Sequence, residues 1–467
     1  MKTLFPKQVH WGIFFMVAIL LRILFYNISA FSYCAIILSL YQFTLLFAGL
    51  GNIIPIRYLF GAFMCLQFCI GPTLVYNGLD QYQALAYRMR IPEAEYFRYA
   101  LPAVVAFIIG LHLTAGNFKG EILDEEGINV FIERNPRVPY FFIILGLVTS
   151  VISGFFPSEI AFVFYLLGSF KFIGLFLLII NGKEMRLLPV REMKLLPLTI
   201  VLGSIIISSL GSGMFHDLLI WIIFIGSVYA IQYKIGFNIK LIGCCIFILL
   251  AIIIQELKGD YRKSGNAGLE TLTEDYEIKN RGDNSIFSFS SLAPSVTRIN
   301  QGFIITNIIN TVPDRQPFEH GSEMKIILEA AILPRILAPD KLNAGDRAIF
   351  MKYTGMHIKE GTSMALSSLG DAYINYGYVG GCLFMFLLGL TYSAVLNSFE
   401  KHSVKHPVLL LFLPLIFYYP IRPDCELQTI LGHLVKSVFL IAVMVYVFKD
   451  IFVDQTTLLE ETSLRQV

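Results

Sequence analysis

The sequence predicts an all-α polytopic membrane protein, with about twelve transmembrane helices and one large extracytoplasmic loop, on three observations. The chain of 467 residues is 56% hydrophobic and only 15% charged, and a water-soluble fold with so few charges could not cover its own surface. Its apolar residues gather into runs long enough to cross a hydrocarbon layer, which takes about 20 helical residues. Lysine and arginine are shared unevenly between the loops that join those runs. The net charge of +2 gives no reason to expect nucleic acid as a partner. Forty phenylalanines and twenty-three tyrosines suit helices that meet acyl chains and headgroups.

The apolar runs lie at 9–26, 32–50, 54–76, 98–116, 139–156, 159–180, 197–212, 215–232, 239–257, 376–397, 407–420 and 431–449. The first resembles a signal peptide, but Arg22 interrupts it and eleven further runs follow, so it is expected to remain as the first span. Two runs are weak. That at 197–212 is short and leads into the small and polar stretch Ser208-Ser209-Leu210-Gly211-Ser212-Gly213; that at 407–420 is bounded by Pro407 and Pro420, which leaves spanning and re-entrant readings open. The chain therefore divides into a bundle of about nine spans at 1–257, a large loop at 258–375, C-terminal spans at 376–450 and a tail at 451–467.

Orientation follows from the basic residues of the short loops. One side carries Lys2, Lys7, Lys119, Arg134, Arg137, Lys183, Arg186, Arg191, Lys194, Lys234, Lys240, Lys401, Lys405 and Lys449; the other carries only Arg88, Arg90 and Arg422. The first side is expected to be cytoplasmic with both termini, which puts 258–375 outside. The basic stretch Asn181 to Leu196 suits the headgroup layer, either as a topology anchor or in contact with anionic lipid. Seven cysteines, six of them inside apolar runs, read as small packing residues with neither zinc spacing nor a disulfide framework.

A loop of 118 residues is far longer than a connection needs. Lys258 to Phe289 is polar and glycine-containing, whereas the second part carries helical periodicity. Ile299, Phe303, Ile304, Ile308 and Val312 form one apolar stripe; Met324, Ile327, Leu328, Ala331 and Ile332 form another. Both predict amphipathic helices lying flat on the outer membrane surface or on the bundle. Pro313, Pro317, Pro334 and Pro339 break the chain around them, and Ser363 to Tyr373 predicts a third helix running through Asn375 and Gly377 into the tenth span. Polar residues of catalytic type concentrate here: Arg298, Asn300, Gln301, Asp314, Arg315, Glu319, His320, Glu323, Arg335, Asp340, Lys341, Arg347, His357 and Asp371. For each one taken singly, a charge on a hydrophilic loop is the simpler reading. Within the spans, Arg22, Glu159, Asp217, Glu256 and Lys436 fall toward outer helix ends, where snorkelling explains at least half of them. Lys171 stands mid-span, about 18 Å from the start of its helix at 1.5 Å per residue, and requires a partner or a cavity.

Five ordered motifs complete the reading. Arg298-Ile299-Asn300-Gln301 is followed by Pro317-Phe318-Glu319-His320-Gly321-Ser322 and by Leu333-Pro334-Arg335-Ile336-Leu337-Ala338-Pro339-Asp340-Lys341. Gly361-Thr362-Ser363 and Gly370-Asp371-Ala372-Tyr373-Ile374-Asn375-Tyr376-Gly377 come next. Over roughly 298–390 this order resembles the Wzy-type O-antigen and exopolysaccharide polymerase family of bacterial inner membranes. The family commonly has an aromatic where Leu337 or Ala338 stands and a glutamate where Asp371 stands; Asp371 keeps the carboxylate but shortens it by one methylene.

The resemblance implies a lipid-linked glycosyltransferase of GT-C type, with undecaprenyl-pyrophosphate-linked glycans as substrates and membrane lipids and a chain-length regulator as partners. It would move the growing glycan from undecaprenyl pyrophosphate to a sugar hydroxyl of the next unit at the outer face. Attack at the anomeric carbon needs a base beside the acceptor hydroxyl, and departure of pyrophosphate needs fixed positive charge. Arginine suits the second task through its bidentate fork. Arg298 and Arg335 are expected at the pyrophosphate with Lys341 assisting, and Asn300, Gln301, Glu319 and Arg347 around the substrate. His320 is the first choice as base, because imidazole titrates near neutral pH, with Asp371 and Glu319 next. No acidic cluster of metal-ligand spacing and no DxD pattern appears in the outward segments, so transfer without metal or cofactor is expected. An O-antigen ligase on the same lipid carrier and a lipid-linked-sugar transporter are the competing readings, with a structural subunit of a polysaccharide machine behind them.

Overall fold

A computed structural model of the chain describes residues 9–80, 83, 87–115, 123–181, 196–212, 216–264, 296–333, 345–358 and 364–452. All regular structure among them is helical. In chain order the helices are α1 (Trp11–Leu24), α2 (Ala30–Gly49), α3 (Ile56–Leu79), α4 (Glu93–Leu113), α5 (Glu125–Arg134), α6 (Val138–Ile152), α7 (Ser158–Gly168) and α8 (Phe170–Ile180). They continue with α9 (Leu196–Ser212), α10 (His216–Gln232), α11 (Phe237–Ser264), α12 (Gly302–Thr311), α13 (Ser322–Ile332), α14 (Arg347–Thr354), α15 (Ser367–Ser403) and α16 (Leu427–Val447). Eight helical stretches among the described residues are long and apolar enough to cross a membrane. The chain is a membrane protein on that ground. The expected twelve spans are met in part: the runs at 9–26, 197–212, 215–232 and 407–420 form the shorter apolar helices Trp11–Leu24, Leu196–Ser209, His216–Gln232 and Pro407–Ile416. The last is a buried 3-10 turn, Pro407–Phe412, continued by the α-helical turn Leu413–Ile416.

The centre of the bundle is the pair α4 and α15. A side chain at either Gly110 or Gly389 would collide with the facing backbone, at Phe386 or Phe107, so these glycines let the two helices touch along their main chains, as membrane helices do where small residues meet. The Tyr99 hydroxyl donates to the Leu369 carbonyl at 2.7 Å, and Phe60 of α3 stacks on Tyr392 at 4.8 Å. Two of these three spans are interrupted. Helix α3 carries two π-helical stretches, Leu66–Ile70 and Val75–Leu79, with non-helical geometry at Asn77 and Gly78. Helix α15 breaks at Gly377, where φ is 64° and ψ −157°, a conformation open to glycine and costly for other residues. The stretch from Asp371 through Asn375 thus forms a short helical head on a long apolar shaft.

At the far end of the shaft one guanidinium ties three helices together. Arg57 of α3 donates to the Leu111 carbonyl at 2.9 Å and the Ser393 hydroxyl at 2.8 Å, and to Asn397 Oδ1 at 2.6 Å and Glu400 Oε1 at 3.1 Å. Both members of the ion pair are buried, at 3% and 2% exposure. Lys171 has a partner as well: its ammonium lies 3.2 Å from the Ser150 hydroxyl and over the Phe172 ring.

The two amphipathic stripes of the presumed loop fare differently. Helix α12 does not lie on a surface. Every residue of it except Asn310 is buried, among α3, α4, α14 and α15. Two of its polar side chains are satisfied by its own backbone, Thr306 Oγ1 and Asn307 Nδ2 both donating to the Phe303 carbonyl at 2.8 and 2.7 Å. Helix α13 keeps one apolar face on α16 and leaves Ile326, Leu328 and Ile332 exposed. Arg335, Asp340, Lys341, the Gly361-Thr362-Ser363 motif, the polar part of the loop at 265–295 and the basic stretch at 182–195 lie outside the described residues.

Candidate functional site

Two of the sequence motifs meet at the head of α15. The Glu319 amide donates to the Ile374 carbonyl at 3.0 Å, and the Met324 amide, in the first turn of α13, donates to Asn375 Oδ1 at 3.1 Å. Phe318 packs edge-on against Tyr373 at 5.7 Å, and the Tyr373 hydroxyl reaches the Val312 carbonyl at 3.4 Å. The segment 317–324 is thereby docked on 373–377. Inside it the backbone turns left-handed twice in succession, at His320 (φ 48°) and Gly321 (φ 91°). Such a conformation is ordinary for Gly321 but costs a residue with a Cβ on the order of 1–3 kcal/mol, and it persists only where the surroundings enforce it. The His320 side chain is exposed, with its ring 6.4 Å from that of Phe318.

The enforcing contacts come from α14. Glu319 Oε1 accepts the Tyr353 hydroxyl at 2.6 Å and the Lys352 ammonium at 2.9 Å, while Oε2 accepts the Ser322 hydroxyl at 2.8 Å. Tyr353 also stands 3.0 Å from Glu323 Oε1. Helix α14 is placed by its own cap, Asp346 Oδ1 accepting from the Ala348 and Ile349 amides at 2.9 and 3.2 Å. These bonds fix two protonation states. The Tyr353 and Lys352 donors hold the Glu319 carboxyl down from 4.5 to about 2, so it is an anion throughout the neutral range and no base there. Burial, with the two carboxylates beside it, pushes the Tyr353 phenol far above its ordinary range, so it is always a donor.

Behind this network opens a small, partly open cleft. Its polar wall is built from Glu323, Tyr353, Asp371, Asn375, Glu426 and Gln428, and its apolar wall from residues such as Ile327, Phe350 and Ile374. Asp371 is 6% exposed; the Leu427 amide is directed at its carboxylate, and the Glu426 and Glu323 carboxylates act on it through space. Both oxygens of Glu426 accept the Gly345 amide, each at 2.9 Å. Burial nonetheless raises the Glu426 carboxyl, the Gly345 bond opposing and Asp346 adding to the shift. A mixed apolar and hydrogen-bonding wall of this kind is the usual lining of a small-molecule site. It is rich in acceptors, which suits a ligand rich in hydroxyl donors.

The residues expected at the site are thus divided. Glu319 and Asp371 belong to the network and the cleft, with His320 on the adjoining turn. Asn300 and Gln301 sit elsewhere: Asn300 is 1% exposed with its Oδ1 on the Gly302 amide at 2.9 Å, and the Gln301 amide donates to the Gln67 carbonyl at 3.2 Å, so both seat α12 on α3. Arg298 is half-buried on the helical turn at 296–299, and Arg347 half-buried at the start of α14. Asp314, Arg315 and His357 are exposed. Sequence reasoning missed Tyr353, Lys352, Glu426 and Gln428. The helical spacing of Ile349, Phe350 and Tyr353 behind Asp346 was a usable signal for the first, and a carboxylate immediately before the apolar run from Leu427 for the third.

A family model described as "Domain of unknown function (DUF8712)" matches residues 50–404, about three-quarters of the chain. The chain belongs to the DUF8712 family. The matched region takes in α3, α4 and α12 to α15, hence the docked turn, the Tyr353 network and Asp371; the DUF8712 match ends before Glu426 and Gln428, which complete the cleft. No curated protein and no solved structure matches the chain.

Proposed function

We propose that this DUF8712 protein is a membrane-embedded glycosyltransferase that polymerises lipid-linked oligosaccharide repeat units. The observation that carries the reading is the cleft at the head of α15, where the buried Asp371 carboxylate faces an acceptor-rich wall beside the docked 317–322 turn. The motif order and this meeting of two motifs support the resemblance to Wzy-type polymerases. In the reaction a sugar hydroxyl of the incoming unit attacks the anomeric carbon of the growing glycan. The bond from that carbon to the undecaprenyl pyrophosphate oxygen breaks, its electron pair leaves with the pyrophosphate, and the hydroxyl proton passes to a base. Asp371 is the base in this reading, because it lines the cleft that would hold the hydroxyl, whereas His320 is on the exposed turn next to it and Glu319 is already committed as an anion. Arg335 and Lys341 retain the pyrophosphate role the resemblance gives them. The head of α15 faces the outside of the bacterial inner membrane on this account, with both termini in the cytoplasm.

In a strain deleted for the gene, lipopolysaccharide or exopolysaccharide should carry single repeat units and no long chains, and wild-type protein should restore the long chains. Asp371→Asn, expressed to the same level, should not. Long chains restored by Asp371→Asn would remove Asp371 from the chemistry; lipid A-core with no repeat at all in the deletion strain would indicate the ligase instead. A lipid-linked-sugar carrier is the second reading, favoured by the two interrupted spans α3 and α15, since broken helices are common in transporters. In that case the deletion strain would accumulate lipid-linked units on the cytoplasmic side.

A further inference from the structure

Tyr353 occupies a position that the reaction above does not use. It is 1% exposed and lines the cleft, yet its hydroxyl points to the docked turn. The group has one proton to donate and two carboxylates within reach, Glu319 at 2.6 Å and Glu323 at 3.0 Å. It accepts in return from the Lys352 ammonium at 2.7 Å, and the same ammonium bonds Glu319 at 2.9 Å. Four polar groups, from the turn, α13 and α14, are closed into one network. Glu319 lies on the turn with left-handed His320 and Gly321, and Glu323 lies on the cleft wall. A strained turn held by donors from a neighbouring helix is an over-determined piece of backbone, of the sort found where geometry matters to function.

We propose that Tyr353 is a positioning residue of this site: through Glu319 and Glu323 it fixes the 319–323 turn against the head of α15. The wall facing Asp371 then keeps its shape when an acceptor binds. The inference rests on the cleft being the acceptor site of the proposed transferase. It differs from a stabilising role in the fold, because Tyr353→Phe keeps the buried ring and removes only the hydroxyl that joins Glu319, Glu323 and Lys352.

The test uses full-length protein in detergent or nanodiscs, with two readouts. Hydrogen–deuterium exchange should rise in the peptide covering 318–325 for Tyr353→Phe and for Glu319→Gln, with α15 and α16 unchanged. In a transfer assay with lipid-linked repeat units, kcat should fall about tenfold or more with KM shifted less than threefold, the signature of a misplaced rather than an unbound substrate. Because both residues act through one hydrogen-bond network, Tyr353→Phe/Glu319→Gln should be no worse than the worse single variant. Unchanged exchange in Tyr353→Phe would overturn the proposal whatever the activity. Raised exchange with kcat within twofold of wild type, or losses that multiply in the double variant, would overturn it as well. A wild-type protein that extends no glycan would instead sink the functional reading, and with it the catalytic use of the turn, while the exchange readout would still report whether Tyr353 holds it.

Discussion

Glu319 accepts from three side chains, and its carboxyl is held down to about 2. A carboxyl whose pKa is lower in the folded than in the unfolded chain stabilises the fold fully above its unfolded value and loses that contribution as pH falls through the folded one. Wild type should therefore melt above Glu319→Gln by a constant margin from pH 8 to about 5, and the margin should shrink from 4.5 down toward about 2. Melting curves of both proteins across that range check it; a margin that persists undiminished at the acid end would contradict the assignment of the shift to the Tyr353 and Lys352 bonds. At this scale the sequence was informative where a residue stood inside a motif. Glu319, His320 and Asp371 were singled out because they stand in ordered motifs, and the structure brings those motifs together at the head of α15. Tyr353 and Glu426 were not, since each owes its place to a partner far along the chain, Glu319 and Gly345 respectively, and a tyrosine or a glutamate by itself has no address. Asn300 and Gln301 show the opposite error: polar side chains in a motif can serve packing, and here they seat a buried helix.

Among the elements, α12 is where periodicity misled. Its stripe of Phe303, Ile304 and Ile308 fits an interfacial helix, but threonine and asparagine that bond to the helix carbonyl one turn back can be buried on the remaining face. The ion pair Arg57–Glu400 was missed for a related reason: Arg57 stands at the first turn of a span and Glu400 beyond the end of the apolar run, so each alone looks interfacial. Together they join α3 to α15, with α4 contributing the Leu111 carbonyl. Removing one partner of a buried pair strands the other charge, which costs about 3–5 kcal/mol, while replacing both by apolar residues of similar volume is often neutral or better. Glu400→Leu should thus lower the unfolding free energy by that order, and Arg57→Met/Glu400→Leu should recover most of it. Denaturation in a single detergent measures both. A double variant as unstable as Glu400→Leu would mean that the guanidinium bonds to Ser393 and Asn397 matter more than the pair.

For the whole molecule, class and bulk arrangement were the most legible features, because hydrocarbon dictates length and apolarity more strictly than any side-chain contact dictates position. The runs were found at nearly the observed places; what hydropathy could not tell was that four of them form helices of 17 residues or fewer and that part of the presumed loop inserts into the bundle. Helix α15 offers the sharpest test of orientation, since its head carries the cleft and its tail the Arg57–Glu400 pair. With the native cysteines replaced, Ser322→Cys should react with a membrane-impermeant thiol reagent added to intact spheroplasts, and Lys401→Cys only after the membrane is opened. Equal reactivity at both positions would end the outward-facing account. The central claim is tested most directly by giving the purified protein lipid-linked repeat units with no other enzyme present. The expected result is a ladder of glycans that lengthens with time on the lipid, with one undecaprenyl pyrophosphate released per unit added. Units recovered unextended, from protein shown to be folded and with its lipid substrate intact, would contradict it.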